Sequence, residues 1–319
     1  MALPDILRDR LRIPVIGAPM FIVSDVALVT AQCKAGIVGG FPALNARPQA
    51  ALDDWVRQIK DDLAAHDAAH PERPAAPFAV NQICHTTNHR LAADMAVCVE
   101  HEVPIVITSL RPPAEVVEAV HGYGGVVFHD VVNLRHAQKA AEQGVDGLIL
   151  VCAGAGGHAG VLSPFALLRE VRAWFDGTII LSGAITDGWS VAGARAMGAD
   201  LAYMASRFIA SREANASAVY KTMLIDGAAK DIVYTAAFSG VPGSYLRASI
   251  EAVGLDPDDL PAPEAPKMDF GSNDGSEVKA WRDIWSAGQG IGGIHDAPPV
   301  AALVDRLAAE FAEACAALA

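Results

Sequence analysis

Eight short apolar runs recur along the chain, each separated from the next by a longer segment of mixed polarity. They are Pro14–Met20, Gly36–Gly40, Phe78–Gln82, Pro104–Ser109, Gly125–Asp130, Gly147–Gly154, Thr178–Ile185 and Leu201–Phe208. Their cores are continuous rather than alternating, the pattern of strands covered on both faces. The segments between carry helix punctuation. SDVALVTAQCKAG reads as a helix capped by Ser24 and stopped by Gly36. NLRHAQKAAEQG opens at Asn133 and stops at Gly144, and DGWSVAGARAMG opens at Asp187 and stops at Gly198. Strand and helix alternating eight times predicts an α/β fold, a (β/α)8 TIM barrel.

From about Ala210 the pattern loosens. A helical cap is expected over 211–291, with a Pro-, Asp- and Gly-rich loop at 256–277. The run from Ala301 to Leu318 has apolar residues at helical spacing. The barrel would then comprise 1–210 and 292–319.

A length of 319 residues suits one large barrel. The formal net charge of −13 leaves no basic stripe for phosphate backbones, which argues against nucleic acid as a partner. The opening MALPDILRDRLRIP has scattered charges and no apolar core, and no run reaches membrane-spanning length. Five widely spaced cysteines and no export signal lead us to expect reduced thiols in a cytoplasmic protein.

Function in a barrel gathers at the C-terminal ends of the strands. Reading those ends in order gives Ala18, Pro19 and Met20; Asn81 and Gln82; Thr108 and Ser109; His129 and Asp130. Next comes VCAGAGGHAG (Val151–Gly160), almost bare of side chains except His158. Ser182, Gly183 and Ala184 end the seventh run, and Ala205, Ser206 and Arg207 the eighth. Loops seven and eight are where such barrels hold phosphate, though Gly183 as a plain turn and Ser206 as a plain cap remain alternatives. His158 carries a side chain able to move a proton near neutrality. A glycine loop would let a flat ligand approach its main chain. His85 and His89 lack a matching ligand set, so no metal is expected. His129 and Asp130, adjacent in a strand, face opposite ways and are not a pair acting on one atom. Cys152 reads as a buried structural thiol. Tyr234, Ser239 and Arg247 either face the mouth or pack the cap.

The ordered set GAPM, VNQ, GAGGHAG, LSGAI, MASRF and WSAGQGIGGI resembles the nitronate monooxygenase family, formerly 2-nitropropane dioxygenases, over residues 10–305. The resemblance implies an oxidoreductase with FMN in the barrel. It would oxidise alkyl nitronates, and nitroalkanes by extension, with O2 to carbonyl compounds and nitrite. It implies Ser182, Gly183, Ala184, Ala205, Ser206 and Arg207 around the FMN phosphate. Ala18, Pro19, Met20 and Asn81 would line the ring. Gly156 and Gly157 would lie in the cofactor loop, His158 would be catalytic, and Gln289 and Gly290 would close the site. Two departures stand out. Asp130 lies where many relatives carry lysine, and ASRF replaces their frequent GTRF. Other readings stay open: an FMN-dependent NAD(P)H reductase of quinones or enoyl thioesters, a non-catalytic flavin-binding barrel, and, more distantly, a phosphate-binding isomerase. The oligomeric state, including a homo-oligomer, also stays open.

Overall fold

The computed structural model describes residues 3–111, 113–261 and 283–318. A 3-10 turn at Asp5–Leu7 leads into β1 (Val15–Gly17), α1 (Val26–Lys34), β2 (Val38–Pro42), α2 (Ala51–Ala69), β3 (Phe78–Cys84) and α3 (Leu91–Glu100). Then follow β4 (Ile105–Leu110), α4 (Ala114–His121), β5 (Val126–Val131), α5 (Leu134–Ala141), β6 (Gly147–Val151) and the two-residue β7 (Gly157–His158). The barrel ends with α6 (Pro164–Arg172), β8 (Thr178–Ser182), α7 (Gly188–Met197), β9 (Leu201–Met204) and the single turn α8 (Ser206–Ile209). The excursion contains α9 (Ala218–Asp226), β10 (Ile232–Thr235), β11 (Gly243–Leu246) and α10 (Arg247–Ala252), and α11 (Val300–Leu318) closes the chain.

Strands β1-β2-β3-β4-β5-β6-β8-β9 form a closed parallel barrel, sealed where Gly17 pairs with Met204. The predicted eightfold alternation is therefore a TIM barrel. Helix α11 packs between α7 and α1 and so completes the ring from beyond the excursion. The approach is close: a Cβ on Gly188 would stand 2.3 Å from the Phe311 nitrogen. The excursion expected to be helical also holds strands. β10, β11 and β7 make a three-stranded antiparallel sheet, with His158 opposite Gly243. These strands are short, and two of them find their partner far along the chain, so local periodicity carries little sign of them. The part of the expected cap and loop at 262–282 lies outside the described residues.

Two of the three helix starts read from the sequence match. Asn133 accepts from the His136 N–H, and Asp187 forms a capping box with Ser190 before α7 ends at left-handed Gly198. The third is shifted by one residue. Asp25, not Ser24, caps α1 by accepting from the Leu28 N–H, whereas Ser24 Oγ accepts from the Met20 N–H at 3.0 Å and pins the loop after β1.

Strand alternation sorts the core into two layers. Val106, Val127, Leu148 and Ile179 point outward against the helices. Ile105, Ile107, Phe128, Ile149, Ile180 and Leu201 point inward, with Leu7 of the first turn closing the N-terminal end. The same parity turns Asn81, Ser109, Asp130, Ser182 and Tyr203 inward, one step further toward the C-terminal mouth.

Candidate active site

The mouth has two sides. On one, Asn81 Nδ2 donates to Ser109 Oγ at 3.0 Å, and Ser109 Oγ donates to Asp130 Oδ2 at 2.7 Å. Burial pushes the Asp130 carboxyl up to about 6, only partly opposed by the Ser109 hydrogen bond. Burial also raises the Tyr203 hydroxyl, and the neighbouring Asp130 charge adds to it. His129 turns the other way, its Nδ1 2.8 Å from Thr108 Oγ1, and burial lowers it to about 4. The adjacent pair thus divides between two faces, as the alternation requires.

Across the barrel, a narrow cleft runs between the tips of β8 and β9, the loop after β6 and the segment around Gly288–Gly290. Ser182, Gly183, Ala184, Tyr203, Ala205 and Ser206 line it, with Gly154 and Gly156 opposite. None of its lining side chains is charged. Gly183 (φ 136°) and Ala184 (φ 55°) turn the main chain there, the latter in a region that alanine rarely occupies.

His158 sits two residues beyond Gly156. Its ring is largely buried, which lowers its pKa below the ordinary histidine value. His158 Nε2 lies 2.9 Å from Ser239 Oγ, and Ser239 Oγ donates its proton to the Val241 carbonyl at 3.0 Å. One hydroxyl proton cannot serve both contacts, so the network assigns Nε2–H of His158 as donor to Ser239. In the neutral ring, Nδ1 is then the nitrogen that accepts a proton. The excursion holds this loop at further points. Tyr234 donates to the Ala159 carbonyl at 2.8 Å, and Ser286 Oγ accepts from the Gly157 N–H at 2.6 Å while donating to the Ser244 carbonyl.

A sequence profile describing nitronate monooxygenase matches residues 6–310. The chain belongs to that family. It is 31% identical over 278 residues to a nitronate monooxygenase of Paraburkholderia phytofirmans, covering 76% of each chain. Among solved structures, a nitroalkane oxidase from Streptomyces ansochromogenes superposes with a TM-score of 0.77 at 25% identity, over 99% of this chain and 100% of that one. FabK from Thermotoga maritima shares the fold, with a TM-score of 0.76 at 23% identity over 98% and 96% of the two chains. The resemblance carried by the ordered motifs is thereby borne out, and the protein is an oxidoreductase of the nitronate monooxygenase family.

The cleft draws together many of the residues singled out by sequence, but some stand elsewhere. Arg207 is buried away from the cleft, donating to the Ala210 carbonyl and to the Asp296 carbonyl and carboxylate. It anchors the C-terminal segment, because a buried guanidinium needs acceptors that the uncharged cleft does not offer. Gly157 belongs to β7 rather than to the lining. Gln289 meets the loop through its main chain, donating N–H to the Gly154 carbonyl at 2.9 Å, and Gly290 lines the cleft. Ala18, Pro19 and Met20 form the loop after β1 at the same end, with Ala18 N–H donating to Met204. Ser239 and Tyr234 face the His158 loop, whereas Arg247 pairs with Asp258 at the surface.

The glycine loop also has a different reason for its bareness. A Cβ on Gly156 would stand 2.9 Å from the Gly288 nitrogen, and one on Gly288 would stand 2.5 Å from the Gly154 carbonyl oxygen. Two main chains press together there, so the glycines permit that packing as well as any ligand approach. His85 Nδ1 contacts Thr87 Oγ1 at 2.9 Å. Among the described residues one cluster has metal-ligand spacing, Asp53, Glu100 and His101, and Arg57 already occupies Asp53. Cys152 is buried, with its thiol raised to about 12, in keeping with a structural role. No helix among the described residues is long and apolar enough to cross a membrane.

Ser109 and Asp130 stand among the strand-end residues of the sequence without an assigned role there, and Tyr203 is not among them. Parity along each strand was the available signal: each stands two residues beyond an inward apolar residue.

Proposed function

We propose that this protein is an FMN-dependent nitronate monooxygenase that oxidises alkyl nitronates, and nitroalkanes through prior deprotonation, with O2 to carbonyl compounds and nitrite. One observation carries the reading: the loop that lines the uncharged cleft at Gly154 and Gly156 also holds His158, so an anion-binding cleft and a proton-transfer group share one support.

The chain's groups fit FMN. The cleft offers main-chain amides and the Ser182 and Ser206 hydroxyls and carries no carboxylate to repel a phosphate. On the opposite side, Asp130 Oδ1 is buried with no hydrogen-bond partner among the described residues, and Asn81 is linked to Asp130 Oδ2 through Ser109. Gly183, Ala184, Ala205 and Ser206 would hold the phosphate; Ala18, Pro19, Met20 and Asn81 would line the ring. The bound flavin supplies the electron acceptor, and the protein supplies orientation and electrostatics.

His158 acts as a base rather than as a fixed cation. Burial disfavours its imidazolium, so the neutral ring acts as the base toward the α-proton of a nitroalkane. A nitronate, already deprotonated, needs His158 only to orient it. The C-terminal segment at Gly288–Gly290 forms one wall of the cleft.

The purified protein should be yellow, and anaerobic addition of an alkyl nitronate should bleach the flavin. In His158→Ala, FMN should stay bound while nitroalkane turnover falls at least tenfold, about 1.4 kcal/mol of barrier. Rapid bleaching by NADH with nitronate inert would replace this reading with the NAD(P)H reductase.

A further inference from the structure

The mouth of the barrel contains an acidic side chain that neither the cleft nor His158 uses. Asp130 faces inward from β5. Its Oδ2 accepts from Ser109, while Oδ1 is shut off from solvent and has no hydrogen-bond partner among the described residues. No arginine, lysine or histidine contributes to offsetting its charge. Of the ionisable groups on the surrounding strands, Tyr203 on β9 feels that charge, whereas His129 on the same strand points outward to Thr108. From β3 and β4 it meets the neutral Asn81 and Ser109, and on the β6 side the inward residue is Val151.

The strand order gives this group its place. In the closed sheet, β3 and β4 stand four strands from β8 and β9, which is directly across the barrel. A ligand whose anionic tail lies at the tips of β8 and β9 would extend its other end over the mouth toward Asn81, Ser109 and Asp130. That end would lie over these polar side chains.

Resting on the flavin reading above, we infer that Asn81, Ser109 and Asp130 form the polar seat for the edge of the FMN ring, and that FMN binding takes up a proton at Asp130. The physical reason is desolvation. Burial, working against the Ser109 hydrogen bond, brings the carboxyl to about 6, and a planar ring laid over this still partly exposed residue removes more water and favours the neutral acid, which can also donate to a ring acceptor. Because the bound state prefers the acid, affinity declines as pH rises above about 6, where the free protein loses that proton.

The test uses the full chain freed of flavin and titrated with FMN calorimetrically, in buffers of different ionisation enthalpy. Wild type should take up about half a proton more at pH 7 than Asp130→Asn; ionisation of the FMN phosphate is common to both and cancels. From pH 6 to 8.5, the affinity of wild type relative to Asp130→Asn should fall at least tenfold. Ser109→Ala removes a hydrogen bond that favours the carboxylate, so its pH break should move upward; this variant decides the matter if Asp130→Asn does not fold. Equal proton uptake in wild type and Asp130→Asn, or an unmoved break in Ser109→Ala, would overturn the inference and leave the flavin reading intact. If wild type binds no FMN, both fall together.

Discussion

The two halves of the barrel interior are built by the same eight strands and differ in what those strands turn inward. The N-terminal half presents Ile16, Val38, Ile105, Ile107, Phe128 and Ile180, all out of contact with solvent, with Leu7 as a plug. The C-terminal half presents Asn81, Ser109, Asp130, Ser182 and Tyr203 and is closed by glycine-bearing loops instead of apolar side chains. The first half gains stability from dry packing. The second contains a carboxyl oxygen without a hydrogen-bond partner among the described residues, an alanine in the left-handed region and a half-buried histidine, costs of the kind that functional sites tolerate. The difference teaches that a dry layer and a polar layer succeed one another in one sheet, separated by a single two-residue step along β3, β4, β5, β8 and β9.

That contrast can be broken at either end. The largest effect should come from the dry half: Phe128→Ala leaves a cavity in a fully buried layer and should lower unfolding free energy by about 3–5 kcal/mol in urea titration. The equivalent intervention in the polar half should run the other way. In the flavin-free protein, Asp130→Asn removes a carboxylate whose folded pKa of about 6 lies above the ordinary aspartate value of 3.8. Between those values the folded state keeps a proton that the unfolded state has released, so wild type loses stability as pH rises through that window. The variant should therefore be more stable by about 2 kcal/mol at pH 8, with the gain fading as pH falls from 6 to 4. Urea titrations at several pH values check it, and a pH-independent difference would tie the effect to packing instead. The smallest effect belongs to the support of His158. Ser239→Ala removes the acceptor for Nε2–H, at a cost of about 1 kcal/mol. Imidazole 15N shifts should then show both neutral tautomers where wild type shows one.

Much of the fold was legible because its signals are local. Continuous apolar runs betray strands buried on two faces, and caps such as Asn133 and Asp187 act within a few residues. The candidate site was legible where glycine and histidine interrupt those runs. It was illegible where a side chain's partner lies far along the chain. Arg207 looked available for phosphate because its acceptor Asp296 is 89 residues away. Ser239 could not be tied to His158, 81 residues earlier, and the strands at Ile232–Thr235 and Gly243–Leu246 depend on a sheet that includes the histidine loop.

The sequence by itself therefore determined the closed eight-stranded architecture and the family, and it pointed to the strand ends as the candidate site, since periodicity and turn residues act over short spans. Only the tertiary structure decided which tip residues face inward together, which guanidinium anchors a tail instead of a ligand, and which tautomer His158 adopts. Those outcomes depend on desolvation and on the supply of hydrogen-bond partners, and both exist only once distant segments have come together.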